Sequence, residues 1–403
     1  MEKLAKDSKG LRILFVSNLF PDSAEPYRGL DNATVLHALR QYHDCEIRVL
    51  SPRPCLPFAP FAQRSPRSED ALLLPAYVPA RYIPKIGSGL NHQLMRRAIG
   101  GPLREIRRKF SWDVMLVSWL YPDGWAAVKV AQLAGMGPVV LIAQGSDVHR
   151  YLNIPARRRC ILKAVGGSAG VITRSRSLAT LLAGAGANSS TLFPITNGIN
   201  SSTFTSGDRE EARRGLGIST AAKLLLYVGN FLEVKNPLLL VRAFSKLCAM
   251  LPSEPLQLVM VGKGPLQSAV AAEAAKLGVG DRVMLTGPLL PGEVATWMRA
   301  AELFCMTSKN EGLPNVILEA QACGLPVVST AVGSIEELVD EPWKGGLSSP
   351  HDLDGWVREA LRLLQAPPER ERIAQLGASR TWQLAAGKYH EVLARAAASA
   401  SFA

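Results

Sequence analysis

A chain of 403 residues exceeds what one ordinary hydrophobic core fills, and at roughly 150 residues per domain it predicts two or three domains, two being the simpler reading. An apolar fraction of 47% with 20% charged residues excludes a disordered or fibrous chain. The net charge of +12 lies in the first half, where residues 1–204 hold 26 Lys and Arg against 13 Asp and Glu while the remainder holds 20 against 21, so either an anionic partner or a solvated basic face belongs to that half only.

RILFVSN at 12–18 reads as a buried strand, a glycine-containing loop follows, and DNATVLHALRQY at 31–42 reads as a helix, which together open an α/β unit. Further strands are expected at 46–52, 113–122, 138–147 and 170–175, with their carboxyl ends facing a ligand crevice. Prolines between Pro52 and Pro84 cannot donate strand hydrogen bonds, which predicts a long excursion over the surface. The same rhythm restarts at 223–231 and continues at 256–264, 282–289, 303–308 and 326–332, a second parallel sheet. The turn-rich connection places the boundary near Ser202, giving an N-terminal domain 1–202 and a C-terminal domain 203–380.

Basic residues Arg96, Arg97, Arg104, Arg107, Arg108 and Lys109 alternate with apolar ones between Leu90 and Phe110. Such a stretch suits an anionic membrane or a lipid-linked acceptor, or is a plain solvated face. Gly100, Gly101 and Pro102 are expected to split it into two short helices, and Arg157 to Arg159 would extend the same face. Nucleic acid is the weaker partner, since stacking aromatics are missing from the run. The six cysteines Cys45, Cys55, Cys160, Cys248, Cys305 and Cys323 show neither a CxxC pair nor zinc spacing and read as reduced thiols. No apolar run approaches the roughly 20 residues of a membrane span or a signal-peptide core, so a cytoplasmic protein is expected, peripheral on the inner membrane face if the basic half meets lipid.

The most specific segment is SKNEGLPNVILEAQACGLPVVST at 308–330, a strand end, a Gly/Pro loop and a helix beginning near Pro314 or Asn315. Free N–H groups and the helix dipole suit phosphate or hydroxyl oxygens there. Glu319 sits within otherwise apolar helix residues and needs a partner, either a ligand hydroxyl or a structural contact.

With its Glu311 and Glu319 pair, RGLDNAT, GSD, ITNGIN, GNFLEVKNP, LVMVGKGPL and EGLPNVILEA, the chain resembles the family 4 (group 1) glycosyltransferases of the GT-B fold over nearly its whole length. That resemblance implies two Rossmann-like domains around a cleft and retaining sugar transfer from a nucleotide diphosphate sugar, with no cofactor and no required metal. The first domain would recognise the acceptor and the second the donor, while a helix at about 381–397 would cross back to the first, anchored by Trp382 and Tyr389. Carried over by residue, Glu311, Gly312, Leu313, Pro314 and Asn315 would hold the sugar and distal phosphate, Glu319 the ribose and Lys235 the diphosphate. Gly29 would admit the phosphates, Gly262 and Gly264 the nucleotide, and Gly287 and Leu289 would lie by the base.

Two positions depart from the family pattern at the reaction centre. Asn230 stands where an arginine is common, and Gln144 stands where a histidine is common, ahead of Gly145, Ser146 and Asp147; by the resemblance Gln144 and Asp147 would join Lys235 and Glu311 as the catalytic residues. Glutamine donates and accepts hydrogen bonds but cannot become cationic. A nucleotide-sugar epimerase and a silent sugar-nucleotide binding protein are the alternative readings.

Overall fold

Short apolar runs that alternate with amphipathic segments suit strands covered on both faces, because successive side chains leave a strand on opposite sides. In β1 (Leu11–Val16), Leu14 and Val16 enter one core while Ile13 and Phe15 enter the other. The structure is a computed structural model that describes residues 10–84 and 89–400.

The first unit holds β1, β2 (Cys45–Cys55), β3 (Ala76–Arg81), β4 (Val114–Ser118), β5 (Val139–Ala143), β6 (Gly170–Thr173) and β7 (Leu192–Pro194). They form one parallel sheet in the order β3-β2-β1-β4-β5-β6-β7. Successive strands are laid outward from β1 in both directions, so the loops after β1 and β4 diverge and leave a crevice at the carboxyl edge. The unit runs to Thr196 and is completed by the chain from Trp382. Ala386, Tyr389, Leu393 and Ala396, spaced three and four apart, put one face of helix Trp382–Ala400 into the core with Leu36 and Leu39. His43 and His390 stack at 4.4 Å beside that seam.

The second unit, Asn197–Thr381, holds β8 (Lys223–Val228), β9 (Leu256–Val261), β10 (Val283–Gly287), β11 (Leu303–Cys305), β12 (Val327–Thr330) and β13 (Gly345–Ser348). Their parallel order is β10-β9-β8-β11-β12-β13. In β8, Leu224 and Leu226 face one core, Leu225 and Tyr227 the other. The unit begins five residues before the expected boundary at Ser202, because Ile199 already bridges to Thr381 and enters this unit's core.

Three expectations are corrected. The proline-rich stretch is not all excursion: β2 runs through Pro52 and Pro54, and β3, containing Pro79, pairs with it. Beyond Leu50 the strand has left β1, so among the described residues β3 is its only strand neighbour and N–H groups on the far side have no strand to serve. Residues 91–109 form one helix, Asn91–Lys109, with Pro102 inside it. Burial of Met95, Ile99 and Leu103 along one face offsets the roughly 3 kcal/mol that an internal proline costs. The arginines at 157–159 extend the basic helix only in part: Arg157 lies over the Tyr151 ring in a cavity that Asn91 and Met95 also line, and Arg159 lines a groove with His92, Gln93, Lys129 and Lys163, while Arg158 turns to the Ala185 carbonyl.

Candidate functional site

In the second unit the neighbouring strands β10, β9, β8 and β11 send their carboxyl ends to one edge. That placement gathers Gly287 and Leu289, Gly262 and Gly264, Asn230 and Lys235, and the Glu311 to Asn315 loop. Backbone bonds join the loops: Gly262 N donates to the Gly287 carbonyl at 2.9 Å, Phe231 N to Lys263 at 3.0 Å, and Lys309 N to Val234 at 2.8 Å. Gly262 has φ +136°, and a Cβ there would stand 2.1 Å from the Gly229 carbonyl oxygen, so the crossing of two loops demands glycine. Gly264 meets Phe231 in the same way. These glycines answer first to loop packing, whatever ligand lies above them.

Glu311 and Lys235 are brought into contact. Lys235 Nζ donates to Glu311 Oε1 at 2.7 Å and Oε2 at 2.9 Å, and Ser308 Oγ donates to Oε1 at 2.6 Å. The lysine side chain is 27% exposed and the carboxylate 7%, so the cation is the member of the pair open to a ligand. Helix Asn315–Ala322 starts after Pro314, and Glu319, half-buried, stands one turn further along it. Leu289 and Leu313 pack against one core cluster. Asn230 is exposed, and its backbone carbonyl accepts from the Tyr227 hydroxyl at 3.0 Å. The sequence reading missed Asn197, which is buried and donates Nδ2 to Asn315 Oδ1 at 2.9 Å while its own Oδ1 has no partner among the described residues. An Asn-Gly pair signals a turn, and only the fold reveals that this one reaches the helix start.

In the first unit Gly29 heads helix Leu30–Tyr42 with φ +62°, and a Cβ there would lie 2.2 Å from the Leu19 carbonyl oxygen. Asp147 is fully buried. Its Oδ1 accepts from the amides of Gln144 at 3.0 Å and Gly145 at 2.8 Å, and its Oδ2 accepts from Leu120 N at 3.0 Å. Burial pushes its carboxyl above the ordinary range, against the pull of those amides. Geometry therefore gives Asp147 the task of tying the loop after β5 to the loop after β4. Gln144 donates Nε2 to Asn32 Oδ1 at 2.8 Å and to Ser118 Oγ at 2.7 Å.

Beside these loops lies a cavity of about 340 Å³ lined by Asn18, Asn91, Trp119, Tyr121, Tyr151 and Arg157 among others. The Arg157 guanidinium sits 4.3 Å from the Tyr151 ring centroid and 5.6 Å from that of Tyr121. Trp119 holds φ +84° where β4 ends, a strained setting for an aromatic residue.

Asn18, on the cavity wall, donates both its backbone N and Nδ2 to Asp123, whose carboxyl burial pushes up to about 7 despite those bonds. The unfolded carboxyl titrates near 3.8, so the folded state binds the extra proton between about 4 and 7 and stability falls as pH rises through that window. The melting-temperature difference between wild type and Asp123→Asn should therefore move against wild type from about pH 4 to 7 and level off above. A constant difference would show that Asp123 titrates as an exposed carboxylate does.

Residues 208–380 match the family model described as glycosyl transferases group 1. Most of the second unit is thus a group 1 glycosyltransferase domain. The chain is 29% identical over 301 residues to a D-inositol 3-phosphate glycosyltransferase of Thermobispora bispora, covering 71% of this chain and 69% of that one. It is 31% identical over 272 residues to the enzyme of the same name from Actinosynnema mirum, covering 65% and 64%. The matched stretch thus spans about two thirds of these relatives' length. Among solved structures, the chain shares a GT-B fold with Anabaena HepE in complex with UDP, at TM-score 0.73 and 16% identity over 96% of this chain and all of that one. It also shares it with the lipopolysaccharide outer core galactosyltransferase WaaB, at TM-score 0.72 and 15% identity over 95% and 99%. Among the described residues no helix is long and apolar enough to cross a membrane.

Proposed function

We propose that the transferase moves a sugar from a nucleotide diphosphate sugar to an acceptor hydroxyl with retention of configuration, using neither a metal nor a further cofactor. The observation that carries this reading is the Lys235–Glu311 contact beside the start of helix Asn315–Ala322. Cleavage of the bond between the sugar carbon and the phosphate oxygen leaves negative charge on the diphosphate. A partly exposed ammonium and the positive end of the helix dipole are suited to receive that charge. The acceptor oxygen bonds to the sugar carbon on the face the phosphate leaves, its proton passes to the departing phosphate, and Glu311 positions the sugar. Glu319 is suited to a ribose hydroxyl, and solved neighbours bound to UDP and to UDP-glucose support a nucleotide sugar as donor.

A lipid-linked or polysaccharide acceptor is the reading that the basic first unit favours. One observation favours a second: Arg157, held between two tyrosines on the wall of the 340 Å³ cavity, suits a polyol ring bearing an anionic group, and the curated relatives are named for inositol 3-phosphate. Intact-mass analysis decides between them after incubation with a panel of nucleotide sugars and, separately, lipid extract, polysaccharide and inositol phosphate. A sugar added to one acceptor identifies it. An epimerised donor without acceptor would make the chain an isomerase, and binding without turnover a silent binder.

Peripheral attachment to the inner face of a cytoplasmic membrane belongs to the same proposal. Arg97, Arg104 and Arg108 are exposed, and their spacing of seven and four puts them on one side of helix Asn91–Lys109. Sedimentation should be stronger with anionic than neutral vesicles, weaken with added salt, and drop when all three are changed to glutamine. Equal partitioning to both vesicle types would leave this face merely solvated.

A further inference from the structure

Helix Pro155–Gly166 turns its basic residues in different directions. Arg157 lies on the wall of the aromatic cavity, whereas Arg159 and Lys163, four residues apart, line a groove of about 740 Å³. Lys129, from helix Trp125–Ala134, lines it too, and the first turn of helix Asn91–Lys109 contributes His92 and Gln93. All of these residues belong to the first unit.

The groove gathers cations without anions. Among the described residues no Asp or Glu lines it, Arg159 and Lys163 are exposed with no ion pair, and Lys129 donates only to the neutral Gln132 Oε1, at 3.1 Å. Like charges four apart on a helix repel, so the arrangement is unfavourable until an anion answers it. Trp125 also lines the groove while only 8% exposed, and its Nε1, which can only donate, has no hydrogen-bond partner among the described residues. His92 stands edge-on against that ring at 4.4 Å, so the indole joins two walls of the groove.

Size and lining decide what the anion carries. A single phosphate fills only a small part of such a volume, and Trp125, Ala156 and Cys160 set apolar surface beside the cations. Position points the same way. Gln93 stands four residues before Arg97, and Arg104 and Arg108 follow at seven and four, so the rim of the groove and the exposed arginines occupy one side of the same helix.

We propose that the groove is a headgroup site for an anionic phospholipid, whose phosphate sits among Lys129, Arg159 and Lys163 while its glycerol ester lies along Trp125. The inference rests on the membrane attachment proposed above and adds to it a site that holds one lipid molecule.

Titration calorimetry on the full chain with dioctanoyl phosphatidylglycerol, dispersed below its micelle concentration, removes the field of a bilayer from the measurement. Binding should saturate, and should weaken about tenfold in Arg159→Gln and in Lys163→Gln, the change expected for one charge-assisted contact. Gly166 lines the same groove, and a Cβ there would meet nothing within 4 Å, so Gly166→Glu adds a carboxylate without displacing a neighbour and should abolish binding, while Gly166→Gln should stay close to wild type. The indole N–H resonance of Trp125, assigned with Trp125→Phe, should shift on addition of lipid to wild type and stay in place in Gly166→Glu. A wild type that binds no dispersed phosphatidylglycerol, or a Gly166→Glu protein that binds it equally, would overturn the proposal. Vesicle sedimentation that still depends on Arg97, Arg104 and Arg108 would then leave the membrane attachment standing, whereas dispersed-lipid binding without vesicle sedimentation would sink the attachment and leave the site. Equal affinity for glycerol 3-phosphate would make the groove a site for a free phosphate ester, for dioctanoyl phosphatidylcholine a site for acyl chains, and for a polyglutamate peptide a protein-docking surface; each of these overturns the lipid assignment.

Discussion

Lys235→Ala should lower turnover by about 10² to 10³-fold, the loss typical of one charged or hydrogen-bonding group directed at a developing anion. The lysine is suited to this role by its surroundings: Glu311, itself fixed by the Ser308 hydroxyl, holds it at the edge of the second sheet, yet over a quarter of its side chain stays open. The loss should fall mainly on kcat, because the diphosphate gains charge as the sugar bond breaks. Lys235→Arg should recover only part, since a guanidinium can pair with both Glu311 oxygens but is larger and spreads its charge, so it does not return a compact ammonium to the diphosphate. Initial rates under saturating donor, with melting curves to confirm folding, decide the matter. A folded Lys235→Ala protein that turns over at the wild-type rate would remove this residue from the chemistry and leave its contact with Glu311 a structural ion pair.

The largest effect on stability is expected at Asp147. Asp147→Ala orphans three amides, those of Leu120, Gln144 and Gly145, each costing about 1 to 3 kcal/mol if left without a partner in the interior. The variant also relieves the burial of a carboxyl group whose ionised form is disfavoured there, which offsets part of the loss. A net destabilisation of about 3 kcal/mol is the expected outcome, a fall of roughly 6 to 12 °C in melting temperature for a unit of this size. Asp147→Asn should lose less: its oxygen can keep the Gln144 and Gly145 amides, and only Leu120 N then faces a second donor. Calorimetric melting of the three proteins gives the order. If alanine melts with wild type, the loops after β4 and β5 are held by something other than this carboxylate.

Both predictions concern residues that the sequence singles out, but it assigns their roles unequally well. Glu311 and Lys235 stand 76 positions apart in the chain and still read as partners in one site, because the family resemblance assigns one to the sugar and the other to the diphosphate; the parallel sheet then brings both loops to one edge. Asp147 is visible in the GSD segment, where sequence suggests a reacting group, whereas the fold encloses it and turns both oxygens onto backbone amides. Asn32 lies in the RGLDNAT segment and Arg174 at the end of a recognisable strand, but nothing in the sequence pairs them. The fold does so across 142 residues, with Arg174 Nη2 reaching toward Asn32 Oδ1 at 3.5 Å.

The chain's apolar runs determine its strands by themselves, since a strand buried on both faces needs consecutive apolar side chains and few other environments do. They fail where that rule does not hold: β13, whose sequence is GGLS, and edge strand β3, with Pro79, have no such run and are strands only because β12 and β2 offer them a partner. The charged and polar groups follow the opposite logic. Composition puts the positive charge in the first half of the chain. Whether a given arginine is solvated, stacked on tyrosine or enclosed as Arg174 is depends on neighbours brought from distant positions, because hydrogen bonds and ion pairs are short-ranged and directional where burial of apolar surface is not.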